Sequence, residues 1–244
     1  MDFEKKYMKY KEKYLLLKHK KVNNNFNTCS NQHLTIDNND LEKMRKLLTT
    51  FIEYADKYNL HYFIVGGTLL GSARNGGLMF WDDDIDVGII DFDIEKINFV
   101  KKKLEEHTDV TIETNEDFGF GIKFKADIGK YADECVWIDV FVYTHEGDKI
   151  KLKYPNASYS WPNDYFLDGE LYPLDKINFS DIIVNRPKIY QKYLDRQYKN
   201  WANEVHVNCG HKTCKVTNEP HGVFQIDDTN RDKYMCYTSL VKKN

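Results

Sequence analysis

Apolar residues recur with helical spacing over residues 41–58 and then form a short continuous run at residues 61–65. The apolar face of the first segment is formed by Leu41, Met44, Leu48, Phe51, Ile52 and Ala55. A continuous apolar run as short as the second segment is typical of a buried strand. The pattern therefore predicts an amphipathic helix that leads directly into a strand.

Two glycines, Gly66 and Gly67, end this strand, and the apolar and small residues at 68–73 again have helical spacing. A glycine-containing loop at 75–77 then leads to the acidic sequence WDDDID at 81–86. A glycine turn before a helix offers backbone N–H groups and the positive end of the helix dipole, which suits a phosphate. Glycine also lets the backbone approach a ligand closely.

Asp84 and Asp86 flank Ile85, and residues two apart in a strand point to the same face. We therefore expect Ile85 to point into the core and both carboxylates to point to the other side. Two carboxylates on one face repel each other and need a cation, and oxygen ligands favour Mg2+ or Mn2+. Together with the glycine turn, this pair predicts phosphoryl or nucleotidyl transfer. A surface acidic loop that binds nothing is the simpler alternative, but the order of the two motifs favours a site.

Downstream patterns predict further elements and one irregular segment. The aromatic segment 156–170 could line an acceptor or base pocket, or it could close the core. Pro187 suits the first position of a last helix. The expected elements are a helix ending near 107, strands at 110–113, 118–125, 135–143 and 149–154, a hairpin at 172–187 and a helix at 189–201.

Asp139 lies within the otherwise apolar strand predicted at 135–143. A charge in such surroundings is costly unless it is paired or bound to a metal. Asp139 is therefore either a solvent-facing aspartate of an edge strand or a third metal carboxylate.

The sequence GGTLLG at 66–71, followed by Arg74 and WDDDID at 81–86, closely resembles the core motif of the LicD family. That family includes bacterial phosphocholine transferases and is related to the fukutin and fukutin-related proteins. The resemblance is strongest over 62–88 and weakens toward 198. It implies an α+β fold with a nucleotidyltransferase-like mixed β-sheet flanked by helices. The family also has an I-D-[I/V]-F segment at the place of Asp139, which favours the metal role.

The resemblance further implies transfer of a phospho-alcohol from a CDP-linked donor to a hydroxyl group of a glycan or glycoconjugate. The expected catalytic and metal-binding residues, with Mg2+ or Mn2+ as cofactor, are Asp84, Asp86 and Asp139. The residues expected to bind the donor are Gly66, Gly67, Thr68, Arg74 and Asp82. Arg74 would bind the diphosphate through two parallel hydrogen bonds, whereas Asp83 is expected to be a solvated charge.

Two alternatives stay open at this point. The same motif would serve nucleotidyl transfer with attack on the α-phosphate of an NTP, and a binding module that has lost catalysis would keep the fold. Phosphocholine, ribitol phosphate and mannose phosphate are all compatible with the resemblance.

Composition restricts the partners and the location. The formal net charge of −3 and the pI of about 6.2 do not favour a nucleic-acid partner. We expect neither a transmembrane helix nor a signal peptide, and hence a soluble cytoplasmic protein, because no long apolar run occurs. Five scattered cysteines do not favour a disulfide framework.

Three regions are predicted along the chain: a basic helix and Asn-rich linker at 1–40, the catalytic domain at 41–201, and a Cys/His-containing extension at 202–244. The extension could bind zinc or could be a loop with reduced thiols. The candidate zinc ligands are Cys209 and Cys214, together with His206 and His211.

Overall fold

The computed structural model describes residue 29 and residues 38–130, 134–207 and 222–240. The predicted N-terminal basic helix and most of the Asn-rich linker lie outside these ranges. The helices are α1 (Asn38–Lys57), α2 (Gly66–Arg74), α3 (Ile94–His107), α4 (Pro155–Ser160), α5 (Tyr190–Gln197) and α6 (Arg231–Tyr234). Short 3-10 turns cover Asp91–Asp93 and Lys125–Asp127.

Within the described ranges, seven strands form one mixed sheet with the central order β1-β2-β5-β4-β3. Its strands are β1 (Tyr62–Ile64), β2 (Ile85–Ile90), β3 (Val110–Asn115), β4 (Gly119–Phe124), β5 (Ile138–Glu146), β6 (Lys149–Leu152) and β7 (Tyr165–Leu167). Strands β2 and β5 are parallel, and the other pairings in the sheet are antiparallel. The strands β8 (Asp175–Phe179) and β9 (Ile182–Arg186) form a hairpin, and β10 (Glu204–Val207) pairs with β11 (Gly222–Gln225). The expected α+β fold with a mixed sheet flanked by helices is therefore confirmed.

One face of the sheet is covered by helices. Helix α1 contacts β4, β5 and α3. Its buried residues follow helical spacing, because apolar side chains three or four positions apart share one face; they are Leu41, Met44, Leu47, Leu48, Phe51, Tyr54 and Ala55. Along the first four residues of strand β5, side chains alternate between buried and partly exposed. Ile138 and Val140 are buried, and Asp139 and Phe141 are partly exposed. Asp139, and Asp86 beside it in the register, therefore lie on the opposite, second face of the sheet.

The sequence pattern located most elements within a few residues, and the differences occur at their ends. Helix α2 already begins at Gly66, strand β5 begins at Ile138 rather than at 135, and the last predicted helix ends at Gln197. Pro187 precedes that helix by three residues, so its predicted place at the first helical position is wrong. The segment predicted to be irregular contains α4 and β7.

The described part of the C-terminal region contacts the sheet domain. The Asn75 side-chain amide donates hydrogen bonds of 2.8 Å to the carbonyls of Tyr234 and Cys236, and Leu78 forms a β-bridge with Thr238. Cys236 is joined to Cys29 in a disulfide. This corrects the expectation of reduced thiols at Cys236. The predicted domain boundaries stay a prediction.

No helix in the described ranges is sufficiently long and apolar to span a bilayer.

Gly88 shows how tightly the second face of the sheet is packed. A Cβ atom added there would lie 2.5 Å from the Phe63 ring and 2.9 Å from the Tyr143 ring. We expect Gly88→Ala to lower the free energy of unfolding by about 1–3 kcal/mol, the usual cost of overpacking a core. Urea unfolding measures this change. The same substitution should cost less in a Phe63→Leu background, and an equal cost in both backgrounds would contradict the packing explanation.

Candidate active site

Two of the predicted carboxylates are neighbours because β2 and β5 pair in parallel. The register places Asp86 directly beside Asp139, so both side chains lie on the same face of the sheet. Asp84 precedes β2 by one residue. Carboxylate oxygens of all three residues lie within 4.8 Å of one another. Ile85, which lies between Asp84 and Asp86 in the sequence, is fully buried, as the alternation predicted.

Asp86 is held by the start of helix α2. The amide of Gly67 donates to Asp86 Oδ2 at 2.8 Å, and the amide of Thr68 lies 3.4 Å from the same oxygen. The Thr68 hydroxyl accepts a hydrogen bond of 2.8 Å from the Asp86 amide. The predicted phosphate-binding groups of the glycine turn therefore contact Asp86 in this structure.

Gly66 is required by both conformation and space. Its φ of +51° lies in the left-handed region, which glycine adopts without steric cost. A Cβ at this position would lie 2.6 Å from Asp86 Oδ2. Any other residue would therefore displace the carboxylate that the turn holds.

A second layer of hydrogen bonds, which no sequence pattern indicates, supports the turn. The Gly66 amide donates to the Tyr193 hydroxyl at 3.2 Å, and this hydroxyl donates to Asp164 Oδ2 at 2.8 Å. Tyr143 donates to the other Asp164 oxygen at 2.6 Å. Burial raises the pKa of Asp164 to about 6, although the hydrogen bonds from the two tyrosines oppose this shift.

The carboxylates strongly perturb one another. Burial raises the pKa of Asp86 well above its usual range, and the charges of Asp84 and Asp139 raise it further. Burial raises the pKa of Asp82 in the same way, followed by the charge of Asp84. The pKa of Tyr198 is also raised well above its ordinary value, by burial first and then by the charge of Asp86. Tyr198 therefore lies in the electrostatic field of the cluster, which the sequence did not indicate.

Asp83 is not the solvated charge that the sequence analysis predicted, because only 5% of it is exposed. Asp82 is partly buried and faces the glycine turn: its Oδ2 lies 3.5 Å from the position that a Cβ of Gly67 would take. Asp82 thus belongs to the acidic cluster, while its role stays a prediction.

Arg74 is buried, and its guanidinium is held within the protein. Its Nε donates to Asn75 Oδ1 at 3.0 Å, and a terminal nitrogen donates to the Glu204 carbonyl at 3.0 Å. The other terminal nitrogen contacts the Met79 sulfur. Burial lowers the pKa of Arg74 to about 10, and the charge of Asp82 opposes this shift. A two-point bond to a diphosphate would require Arg74 to give up these partners.

The predicted zinc site cannot be assembled from the described residues. His206 lies on β10 beside Glu204, with 3.7 Å between Nε2 and a carboxylate oxygen. The other candidates, Cys209, His211 and Cys214, lie outside the described ranges. Among the described residues, Asp84, Asp86 and Asp139 form the group of three or more side chains that could hold a metal ion.

These three carboxylates fit a hard divalent cation. They supply oxygen ligands alone, the set that Mg2+ and Mn2+ prefer. The raised pKa of Asp86 shows that negative charge is costly here, and a cation would relieve that cost. The group could therefore bind a metal ion.

Comparison with known proteins agrees with this geometry. Residues 59–189 match the family described as LicD/FKTN/FKRP, nucleotidyltransferase domain. The matched segment includes β1, α2, β2 and β5 and all three carboxylates, so the fold and the site define a domain of the nucleotidyltransferase class. Because the match covers more than half of the chain, the protein belongs to the LicD family.

Several relatives are similar over part of their length. The chain is 33% identical over 191 residues to an uncharacterized protein of Rickettsia typhi, covering 78% of this chain and 54% of that protein. It is 28% identical over 120 residues to the lipopolysaccharide cholinephosphotransferase LicD of Haemophilus influenzae, covering 45% of this chain and 44% of the relative. It is 22% identical over 182 residues to the ribitol 5-phosphate transferase FKRP of Homo sapiens, covering 65% of this chain and 31% of that protein. The chain thus spans about half or less of the length of these relatives.

Tyr193 and Tyr143 offer a matched test of the second layer. Each donates one hydrogen bond to Asp164, but only the Tyr193 hydroxyl also accepts from the Gly66 amide. We expect Tyr193→Phe to weaken Mn2+ binding about tenfold, a usual loss when a group supporting a metal ligand is removed. Tyr143→Phe should change it little. Calorimetric titration with Mn2+ measures both affinities, and equal losses would argue against a specific role of the Gly66 contact.

Proposed function

We propose that the protein transfers a phospho-alcohol, such as phosphocholine or a polyol phosphate, from a CDP-activated donor to a hydroxyl group of a glycan, with a divalent metal ion. The observation that carries this proposal is the convergence of Asp84, Asp86 and Asp139 beside the start of helix α2. The two relatives named as transferases act with cholinephosphate and ribitol 5-phosphate. They support the class of reaction and leave the alcohol open.

In this proposal, Asp84, Asp86 and Asp139 hold Mg2+ or Mn2+. The bound metal would neutralise negative charge on the diphosphate and on the leaving nucleotide. Asp86 is already oriented for ligation, because the Gly67 and Thr68 amides hold its Oδ2 and thereby fix the carboxylate plane. The positive end of the α2 dipole faces the same region and favours a phosphate there.

The transfer exchanges one phosphorus–oxygen bond for another. The acceptor oxygen attacks the phosphorus that carries the alcohol, and the bond from this phosphorus to the bridging oxygen breaks. CMP leaves with the bridging oxygen. Asp139 lies on the β4 side of Asp86 and would accept the hydroxyl proton as general base.

The donor-binding residues take revised roles. We propose that Gly66, Gly67 and Thr68 act mainly by holding Asp86, because their amides and hydroxyl contact Asp86 and Tyr193. Arg74 would act as a fixed positive charge that offsets the negative charge of Asp82, since its three guanidinium nitrogens contact protein groups.

The reaction can be tested by product analysis. The protein is incubated with Mn2+, a mixture of simple glycosides and, in turn, CDP-choline, CDP-ribitol, CDP-glycerol and CTP. We expect metal-dependent release of CMP from one CDP-alcohol. Pyrophosphate release from CTP, with no CMP release from any CDP-alcohol, would contradict the proposal.

Amide substitutions then assign the reaction to the carboxylates. Asp84→Asn, Asp86→Asn and Asp139→Asn should each reduce turnover by roughly a hundredfold or more, because each removes a charge on which the metal site depends. Asp148→Asn provides a control, since Asp148 is exposed in the turn between β5 and β6. Near-normal turnover in the first three variants would exclude these residues from the reaction.

Metal binding should depend on pH because protons and the metal compete for the same oxygens. The pKa of Asp86 is raised well above its usual range, so its protonated form persists to higher pH than in a free aspartate. We expect Mn2+ affinity to fall as the pH is lowered from about 7.5 to about 5.5. An aspartate with the ordinary pKa of about 3.9 stays almost fully ionised over this range, so its metal affinity would change little. Calorimetry across this range measures the effect, and a constant affinity would contradict it.

A further inference from the structure

A cavity of about 470 Å3 opens beside Asp139, on the side away from helix α2. The sheet order places β4 and β3 beyond β5. Asp139 pairs with Gly121 of β4, and Gly121 pairs with Glu113 of β3. The cavity therefore begins at the carboxylate proposed as general base and extends toward the edge of the sheet.

Aromatic rings provide much of the cavity lining. Trp161 contacts Phe118 and Phe141 edge to face, with 5.6 Å between ring centroids in each pair, and 39% of Trp161 is exposed. Trp137 lies against Gly121, where an added Cβ would be 3.3 Å from the indole. The rings thus offer a broad apolar surface next to the reacting groups.

The segment that carries Trp161 is fixed across the cavity. The Asn156 side-chain amide donates to Asp117 Oδ1 at 2.7 Å, and the Ala157 amide donates to the Asp117 carbonyl at 3.2 Å. The Trp161 amide in turn donates to the Ala157 carbonyl at 2.9 Å. Helix α4 is therefore tied to the turn between β3 and β4, and the cavity is largely formed before a ligand arrives.

The charge of the lining disfavours an anion. Its charged side chains are the carboxylates of Glu113, Glu116 and Asp139, and no Lys, Arg or His of the described residues lines it. Glu113 is paired at 2.6 Å with Lys123, whose side chain is fully buried. A phosphate in this cavity would be repelled by the remaining carboxylates, so the diphosphate belongs on the α2 side of Asp139.

A neutral ring with hydroxyl groups matches the remaining chemistry. The C–H faces of a sugar can pack on Trp161 and the neighbouring phenyl rings. The exposed polar side chains of Thr114, Asn115 and Glu116 form the rim and can hydrogen-bond to hydroxyls. The volume lies within the range of about 300–1,000 Å3 that is usual for small-molecule sites.

We infer that this cavity binds one sugar ring of the acceptor, with a hydroxyl group turned toward Asp139. The inference rests on the proposed function for the identity of the ligand as the acceptor. It divides the site into a diphosphate side at β2 and α2 and a sugar side at β4 and β3. Of the two roles considered for the aromatic segment 156–170, the inference favours lining an acceptor pocket.

Sugar binding can be measured without any donor. Saturation-transfer NMR is recorded with the methyl glycosides of glucose, galactose, mannose and N-acetylglucosamine. We expect transfer to at least one glycoside in the native protein, and a loss of affinity of about tenfold or more in Trp161→Ala. Tyr159→Ala is the matched control, because Tyr159 is an aromatic residue two positions away that is 88% exposed and does not line the cavity.

A second variant keeps the test valid if Trp161→Ala does not fold. Glu116→Trp places a bulky ring at the exposed rim and should block the cavity with the same loss of binding. No transfer to any of the four glycosides, unchanged binding in the folded variants, or transfer to free choline in place of the glycosides would overturn the inference.

The CMP-release assay separates this inference from the proposed function. Glycoside binding that depends on Trp161, without CMP release from any donor, would contradict the transfer reaction and support the sugar site. CMP release from a CDP-alcohol, without glycoside binding, would support the reaction and contradict the sugar site.

Discussion

The parallel pairing of β2 with β5 imposes the main constraint on this structure. It brings Asp86 and Asp139 side by side on one face of the sheet, with Asp84 close to both. Like charges at such distances repel strongly when they are shielded from water. Burial first, and then the charges of Asp84 and Asp139, raise the pKa of Asp86. The fold must therefore hold these groups in place against their repulsion, and a cation is the natural partner of the arrangement.

The surrounding elements supply the opposing interactions. The start of helix α2 provides amides to Asp86, and Gly66 allows the close approach that this contact requires. Tyr193 supports the Gly66 amide and is itself held by Asp164. Phe166 stacks on Tyr193 with 4.7 Å between ring centroids. This contact packs the hydrogen-bonded Tyr193 against the aromatic core. The hydrophobic core thus acts on the site through a short series of hydrogen bonds.

Local sequence patterns encode the amphipathic helix and the alternation of buried and exposed side chains at the start of strand β2. The amphipathic period located helix α1, and the period of two placed Ile85 in the core. The same period of two puts Asp83 on the face of Ile85, so the burial of Asp83 follows from the alternation, in contrast to the solvated charge expected above. The resemblance to the LicD family, rather than any local pattern, indicated that Asp139 joins Asp84 and Asp86.

Long-range contacts account for what the sequence could not indicate. Tyr143, Asp164 and Tyr193 meet through three separate segments, and no spacing along the chain encodes their hydrogen bonds. The disulfide joins cysteines 207 positions apart, and neither cysteine has a local signature of pairing. The buried contacts of Arg74 likewise depend on the Glu204 carbonyl, which lies far along the chain.

Anomalous diffraction from crystals grown with Mn2+ would test the central claim most directly. The account predicts a manganese peak between Asp84, Asp86 and Asp139, with an oxygen of each carboxylate at a coordination distance of about 2.0–2.3 Å. A fully occupied manganese ion elsewhere, with no peak between these three residues, would contradict it.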